Sequence, residues 1–220
     1  MRLFIISFLL LVGGYGFGQE TKKVTIKNKN PKSQEEYYVL KSNKSVKHGS
    51  YKKYNYKNKL VFEGHFTNGV KDSIWEFYDY QGNLEQKYNY TNNEILYYKK
   101  DDTNDKEYKV INGNDTIHTK LDRPPLYIGG SSKMFESIIG IIHYPSNAKA
   151  NGISGKVFIA FTIDKVGNTL NYRVVRSVNN ECDEEALRVV KQIPVNWTAG
   201  ILNGETVNVE YLVPINFILR

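Results

Sequence analysis

Gly155-Lys156-Val157-Phe158-Ile159-Ala160-Phe161-Thr162-Ile163-Asp164 is the stretch from which the fold of the second half of this chain is read. Its large apolar residues Val157, Ile159, Phe161 and Ile163 fall on every second position, the period of a strand with one face in a core. Asp164-Lys165-Val166-Gly167-Asn168 follows as a hairpin loop, and Leu170, Tyr172, Val174 and Val175 continue on a returning strand. The period then changes to that of a helix: Ala186, Leu187, Val189 and Val190 lie between Glu181 and Gln192, with Asp183, Glu184 and Glu185 in the first turn, where acids suit the positive end of the helix dipole. Pro194 ends this helix, Trp197 and Gly200 begin a turn, and Asn203-Gly204 leads into a long strand from Val207 to Ile218.

Upstream of the same stretch, Pro124-Pro125 precedes Tyr127-Ile128-Gly129-Gly130, read as a turn. Ser131 or Ser132 is positioned to cap a helix running through Met134, Phe135, Ile138, Ile139 and Ile142. Tyr144-Pro145 stops it. The order helix, strand, strand, helix, strand predicts a three-stranded antiparallel sheet with two helices on one face, an α+β domain over residues 124–220.

The first half reads differently. Residues 19–120 hold 19 Lys, no Arg and 14 acids, whereas residues 121–220 hold 5 Lys, 5 Arg and 9 acids. Eleven of the 17 tyrosines fall between Tyr37 and Tyr98. Shifting residues 46–69 by 24 places superposes Val46 on Val70, Lys47 on Lys71, Tyr51 on Trp75, Tyr54 on Tyr78 and Leu60 on Leu84. Each unit is an aromatic strand, a turn at Lys57-Asn58 or Gln81-Gly82-Asn83, and a second strand, so the region predicts an all-β hairpin meander. Gly49-Ser50-Tyr51-Lys52-Lys53-Tyr54, Ser73-Ile74-Trp75-Glu76-Phe77-Tyr78 and Glu63-Gly64-His65-Phe66 resemble MORN-like repeats in a degenerate form. The aromatics either pack between neighbouring hairpins or, with the lysines, meet a partner. Expected boundaries are a mature amino-terminal segment at 19–36, repeats at 37–100 and a linker at 101–123, marked by Asp101-Asp102-Thr103-Asn104-Asp105-Lys106 and Asn112-Gly113-Asn114-Asp115.

Within the second half, Tyr144-Pro145-x-x-Ala148, Gly155-Lys156-Val157 with Phe161, Gly167-Asn168, Val174 with Ser177, Asp183-x-Glu185-Ala186-Leu187-Arg188-Val189-Val190, Pro194-x-x-Trp197, Asn203-Gly204 and Pro214-Ile215-x-Phe217 resemble the TonB carboxy-terminal domain, over about residues 125–220. The resemblance implies a periplasmic domain that takes an extended segment of an outer-membrane receptor, the TonB box, as a strand beside its own last strand. Such addition uses the free N–H and C=O groups of a sheet edge. The implied peptide-binding residues are Thr206, Val207, Asn208, Val209, Glu210 and Tyr211 on that strand, with Tyr144 and Pro145 near the contact region. Tyr144-Pro145 also reads as a helix stop with a packed ring, and the last strand as an edge for homodimer pairing.

Met1-Arg2 followed by an apolar run and small residues to Gly18 predicts a secretory signal over residues 1–18, the alternative being an uncleaved anchor. An exported chain makes nucleic acid an unsuited partner despite the net charge of +7. With only 6 prolines the chain has no proline-rich spacer of the kind a force-transmitting TonB protein carries, so the expected role is a periplasmic peptide-binding protein linked to transmembrane transport. The alternative is an envelope adaptor that holds a protein partner through its repeats while its carboxy-terminal domain dimerises. No enzymatic constellation is read: His48, His65, His118 and His143 are far apart in sequence, and Cys182 reads as a small buried apolar side chain. Gly129-Gly130 lacks the phosphate-loop context, and no cofactor is expected.

Overall fold

A computed structural model describes residues 19–29, 32–100, 106–113 and 115–219. The expected leader at 1–18 and the expected turn at 101–105 lie outside the described residues.

The first half forms one seven-stranded antiparallel sheet in which every strand pairs with its neighbours in sequence. The strands are β1 (Thr21–Lys29), β2 (Lys32–Leu40), β3 (Lys47–Tyr54), β4 (Leu60–Thr67), β5 (Val70–Tyr78), β6 (Leu84–Asn89) and β7 (Glu94–Tyr98). The segment 19–36, expected only to precede the repeats, therefore supplies the first strand and part of the second. Its Lys23 pairs with Glu36 and its Val24 faces Tyr37 across the ladder, which extends the pairing past the repeat. The 24-residue spacing is visible in the turns. Asn55 Oδ1 accepts the backbone N–H groups of Lys57 and Lys59, and Asp79 Oδ1 accepts those of Gln81 and Asn83. An Asx side chain thus closes both loops, with Asn58 and Gly82 taking the positive φ that the turn demands.

The sheet buries a row of rings. Trp75 is fully buried, between Tyr51 at 5.9 Å, Phe66 at 5.2 Å and Tyr90 at 5.7 Å, and its indole N–H donates to the His65 carbonyl. Trp75 lies flat on Gly64, where a Cβ would come within 2.2 Å of its ring. That close approach explains why the position is glycine.

The second half is built on a sheet in the order β12-β11-β15-β8-β9. β8 (Tyr108–Asn112) and β9 (Asp115–Thr119) form a hairpin, followed by the two-residue strand β10 (Leu126–Tyr127) and α1 (Gly130–Ile141). After the five-residue α2 (Ser146–Ala150) come β11 (Gly155–Ile163), β12 (Thr169–Arg176) and α3 (Asn180–Gln192). β13 (Trp197–Thr198), β14 (Gly200–Leu202) and β15 (Glu205–Phe217) complete it. The expected three strands are present as β12-β11-β15, but the sheet is larger because the expected linker folds as the β8–β9 hairpin and adds to β15. Val110 explains the addition: only 4% exposed, it continues the apolar row by facing the buried Val209. β14 extends the sheet further by pairing with the start of β15.

The alternating residues Val157, Ile159, Phe161, Ile163, Val213, Ile215 and Phe217 form one core with Met134, Ile138, Cys182, Ala186, Val189 and Val190 of the helices. Each fully buried aliphatic side chain in such a core contributes roughly 1.5–3 kcal/mol. Asn179 caps α3 by accepting the Cys182 N–H, and Asp183 accepts from Val178. At α1 the expected serine cap is corrected. The cap residue is Gly129, at φ 110°, with no side-chain cap of its own. The missing acceptor comes from the other half: Glu85 Oε1 takes the N–H of Ser131 at 2.8 Å and lies 3.3 Å from that of Ser132.

Candidate functional site

β15 is the longest strand of the second half, and its two edges meet different neighbours along its length. On one side Val209 to Phe217 pair with Ile163 to Gly155 of β11 without a register shift. Elsewhere Glu205, Thr206 and Val207 pair with β14 in the Asn203-Gly204 hairpin, and Asn208, Val209 and Glu210 pair with Ile111, Val110 and Lys109 of β8.

Of the residues Thr206 to Tyr211 expected to offer a free edge, Val209 and Glu210 have a strand on both sides, while Thr206 and Val207 pair with β14, Asn208 with β8 and Tyr211 with β11. Asn208 Oδ1 accepts the Lys165 N–H at 3.1 Å. Glu210 accepts from Arg173 Nη2 at 2.6 Å and pairs with Lys109 at 3.4 Å, so one carboxylate ties β12 and β8 to β15. Burial pushes the Glu210 carboxyl up, yet the two cations outweigh it and hold the group below the usual carboxylate range. The Tyr211 ring packs on Trp197 at 4.7 Å and on Phe161 at 5.9 Å. These side chains build the domain. The signal that would have moved the edge was the alternation Tyr108, Val110 in the expected linker, too short to separate from loop by period alone.

Among the described residues no strand covers the outer side of residues 212–217. Pro214 indicates which groups point there. It faces Phe158 within an unbroken ladder, although it has no N–H to give. Alternate residues of an antiparallel strand turn their backbone groups to the same neighbour. The ladder to β11 therefore loses no bond when Val213, Ile215 and Phe217 face β11 and Leu212, Pro214 and Asn216 face outward. Leu212 is 50% exposed and Ile218 68%, so apolar surface accompanies the open edge.

Tyr144 and Pro145 sit beyond the end of α1. The Tyr144 ring packs edge-on against Phe217 of β15 at 5.5 Å, and its hydroxyl donates to the Ile153 carbonyl at 2.5 Å. Pro145 precedes α2 as its cap residue. Tyr144 thus reaches the site by supporting the last inward-facing ring of β15. The neighbouring His143 N–H donates to Glu185, which also accepts from Arg188.

Other candidates resolve as structure. Cys182 is fully buried, and burial raises its thiol, as do Asp183 and Glu181 nearby, which leaves it short of thiolate. The structure brings His48 and His65 to 6.4 Å, and His65 Nδ1 lies 2.8 Å from Asp72, a grouping that sequence distance concealed. No cluster of three or more metal-ligating residues occurs among the described residues. No described helix is long and apolar enough to cross a membrane.

Comparison with known families identifies residues 142–219 as matching the Gram-negative bacterial TonB protein C-terminal family. The matched span runs from the residue after α1 through β15; the aromatic meander, the β8–β9 hairpin and the whole of α1 lie outside it. No curated protein and no solved structure gives a significant match.

Proposed function

We propose that this is a TonB-like envelope protein whose carboxy-terminal sheet binds an extended segment of an outer-membrane receptor by strand addition, in support of transport across that membrane. The observation that carries the reading is the outer edge of β15 over residues 212–217, inside the matched span. An incoming strand finds the C=O groups of Leu212, Pro214 and Asn216 and the N–H groups of Leu212 and Asn216, with exposed Leu212 and Ile218 beside them. The β8–β9 hairpin occupies the edge up to Glu210, so it sets where the added strand must stop.

The test is a titration of the full chain with peptides from the amino-terminal segments of TonB-dependent receptors, followed by backbone amide resonances. Saturable shifts confined to residues 212–217 and their β11 partners are expected, with binding about tenfold weaker for a peptide N-methylated at alternate residues. Absence of shifts there at millimolar peptide sinks the proposal. Shifts at β1 or β3 instead would favour the adaptor reading, in which the meander holds the partner.

A further inference from the structure

We propose a second binding site, at the outer edge of β7, where Arg123 receives the carboxylate of an extended peptide. β7 is the last strand of the meander, and no described strand pairs its outer side. A groove of about 500 Å³ runs along it, lined by Ile95, Leu96, Tyr97, Tyr98, Lys100 and Arg123. Among the described residues the lining contains two cations and no acid.

Arg123 is placed there by the other half of the molecule. Its backbone exchanges two hydrogen bonds with Ile201 of β14, and its Nη2 donates to the Ala199 carbonyl at 3.2 Å. The Nε–H is buried and has no acceptor, the one such side-chain atom among the described residues. Buried donors are almost always satisfied, and this unpaired one belongs to a side chain that lines the groove. Among the described residues no carboxylate faces this guanidinium. Burial lowers its pKa, with only the Tyr98 hydroxyl opposing.

Each part of the groove asks for a different feature of one ligand. An open strand edge takes an extended main chain. The planar fork of an arginine takes a carboxylate through two parallel bonds. Exposed Leu96 and Tyr97, at 45% and 42%, cover apolar side chains in between. A free phosphate would use the cations and leave the edge and the apolar residues without a role, so a peptide carboxylate fits more of the site.

The experiment uses the full chain and the peptide acetyl-Thr-Val-Thr-Val as its free acid and as its carboxamide, with the resonances of residues 95–98 and of the Arg123 Nε–H as readout. The acid is expected to shift both sets and the amide to bind about tenfold more weakly, the worth of one charge-assisted contact. Arg123→Gln should reduce the acid to the affinity of the amide. Lys100→Glu, a change on an exposed side chain, should weaken the acid alone even if Arg123→Gln disturbs the β14 contact. Equal binding of acid and amide, or no shift at β7 at millimolar peptide, overturns the proposal. Shifts at residues 212–217 report the β15 edge instead, so either site can fail without the other.

Discussion

Glu85, near the start of β6, accepts the backbone N–H of Ser131 at 2.8 Å, so the aromatic meander caps helix α1 of the other half. The carboxylate also reaches the Ser131 hydroxyl and the Ser132 N–H, and a Cβ on Gly130 would meet its Cδ at 2.6 Å. Backbone donors at a helix start and the positive end of the dipole both favour an anion there. Glu85→Ala is expected to destabilise the chain by about 1–2 kcal/mol, the range for losing a helix cap. Glu85→Gln, which keeps an acceptor and removes the charge, should cost less. Urea titrations of both variants check the order, and an Ala variant as stable as the parent would contradict the cap.

The neighbouring Gln86 is buried, with 2% exposed. Its amide nitrogen donates to the Tyr127 carbonyl at 3.0 Å and its oxygen accepts the Gly129 N–H at 2.7 Å, so one side chain satisfies both backbone groups of the loop entering α1. Gln86→Leu keeps the bulk and strands both groups. An unsatisfied buried group costs about 1–3 kcal/mol. The variant is expected to lose at least that much and to release the Gly129 amide to hydrogen exchange; unchanged protection would refute the assignment.

These contacts mark the limit of what the sequence reveals. The core of the second half was legible because Val157 to Ile163 and Ala186 to Val190 repeat with clear periods, and each period fixes a face. The hairpin turns were legible because Asx and glycine residues carry their own local hydrogen bonds. Glu85 and Gln86 were not, since a polar residue on a strand normally faces water, and only the approach of α1 turns them inward. The second neighbour of Val209 and Glu210 on β15 was hidden for a related reason. A strand's pattern gives its faces, whereas occupancy of its edge depends on a hairpin about a hundred residues away in sequence, Lys109 opposite Glu210.

Gly64→Ala tests the aromatic row. An alanine Cβ would lie 2.2 Å from the Trp75 ring, and rings on several sides hold that indole in place. Forcing bulk into a packed site costs about 1–3 kcal/mol. The urea midpoint should fall and the near-ultraviolet dichroism of Trp75 should change, while the second tryptophan, Trp197, keeps its environment in the other core. Unaltered dichroism with an unaltered midpoint would mean that Trp75 does not rest on Gly64.

Lys71 sits over the same row, 4.4 Å from the Trp75 ring and 4.8 Å from that of Tyr90, and its ammonium donates to the Tyr90 hydroxyl. Burial, together with Lys133 and Lys47 nearby, brings its pKa down to about 8. Its folded value lies below the ordinary lysine value, so the cost of holding the charge is complete below about pH 8 and fades as pH rises toward the ordinary value. Lys71→Met should therefore be more stable than the parent near neutral pH by about 1 kcal/mol, after allowance for solvent screening and the lost ring contacts. The advantage should shrink by about pH 10. Thermal melts across that range decide it, and a variant less stable at neutral pH would show that the ring contacts prevail.

Glu185 supplies the converse case. Its carboxylate accepts from Arg188 Nη2 and Nε, both at 2.7 Å, and from the His143 N–H at 2.7 Å, while Arg188 also donates to the Ile141 carbonyl. The pair ties α3 to the end of α1, just before Tyr144 and its contact with Phe217. Arg188 first, then the His143 hydrogen bond, hold the carboxyl below the usual range although burial opposes them. A depressed acid contributes stability that is complete above its unfolded value and is lost as pH falls through the folded one. The difference between the parent and Glu185→Gln should hold steady from neutral pH down to about pH 5, then close as the solution is acidified further. At neutral pH it should amount to about 1–2 kcal/mol, as for a hydrogen bond to a charged group. A difference that persists undiminished near pH 3 would assign the effect of the substitution to packing and not to the ionised carboxylate.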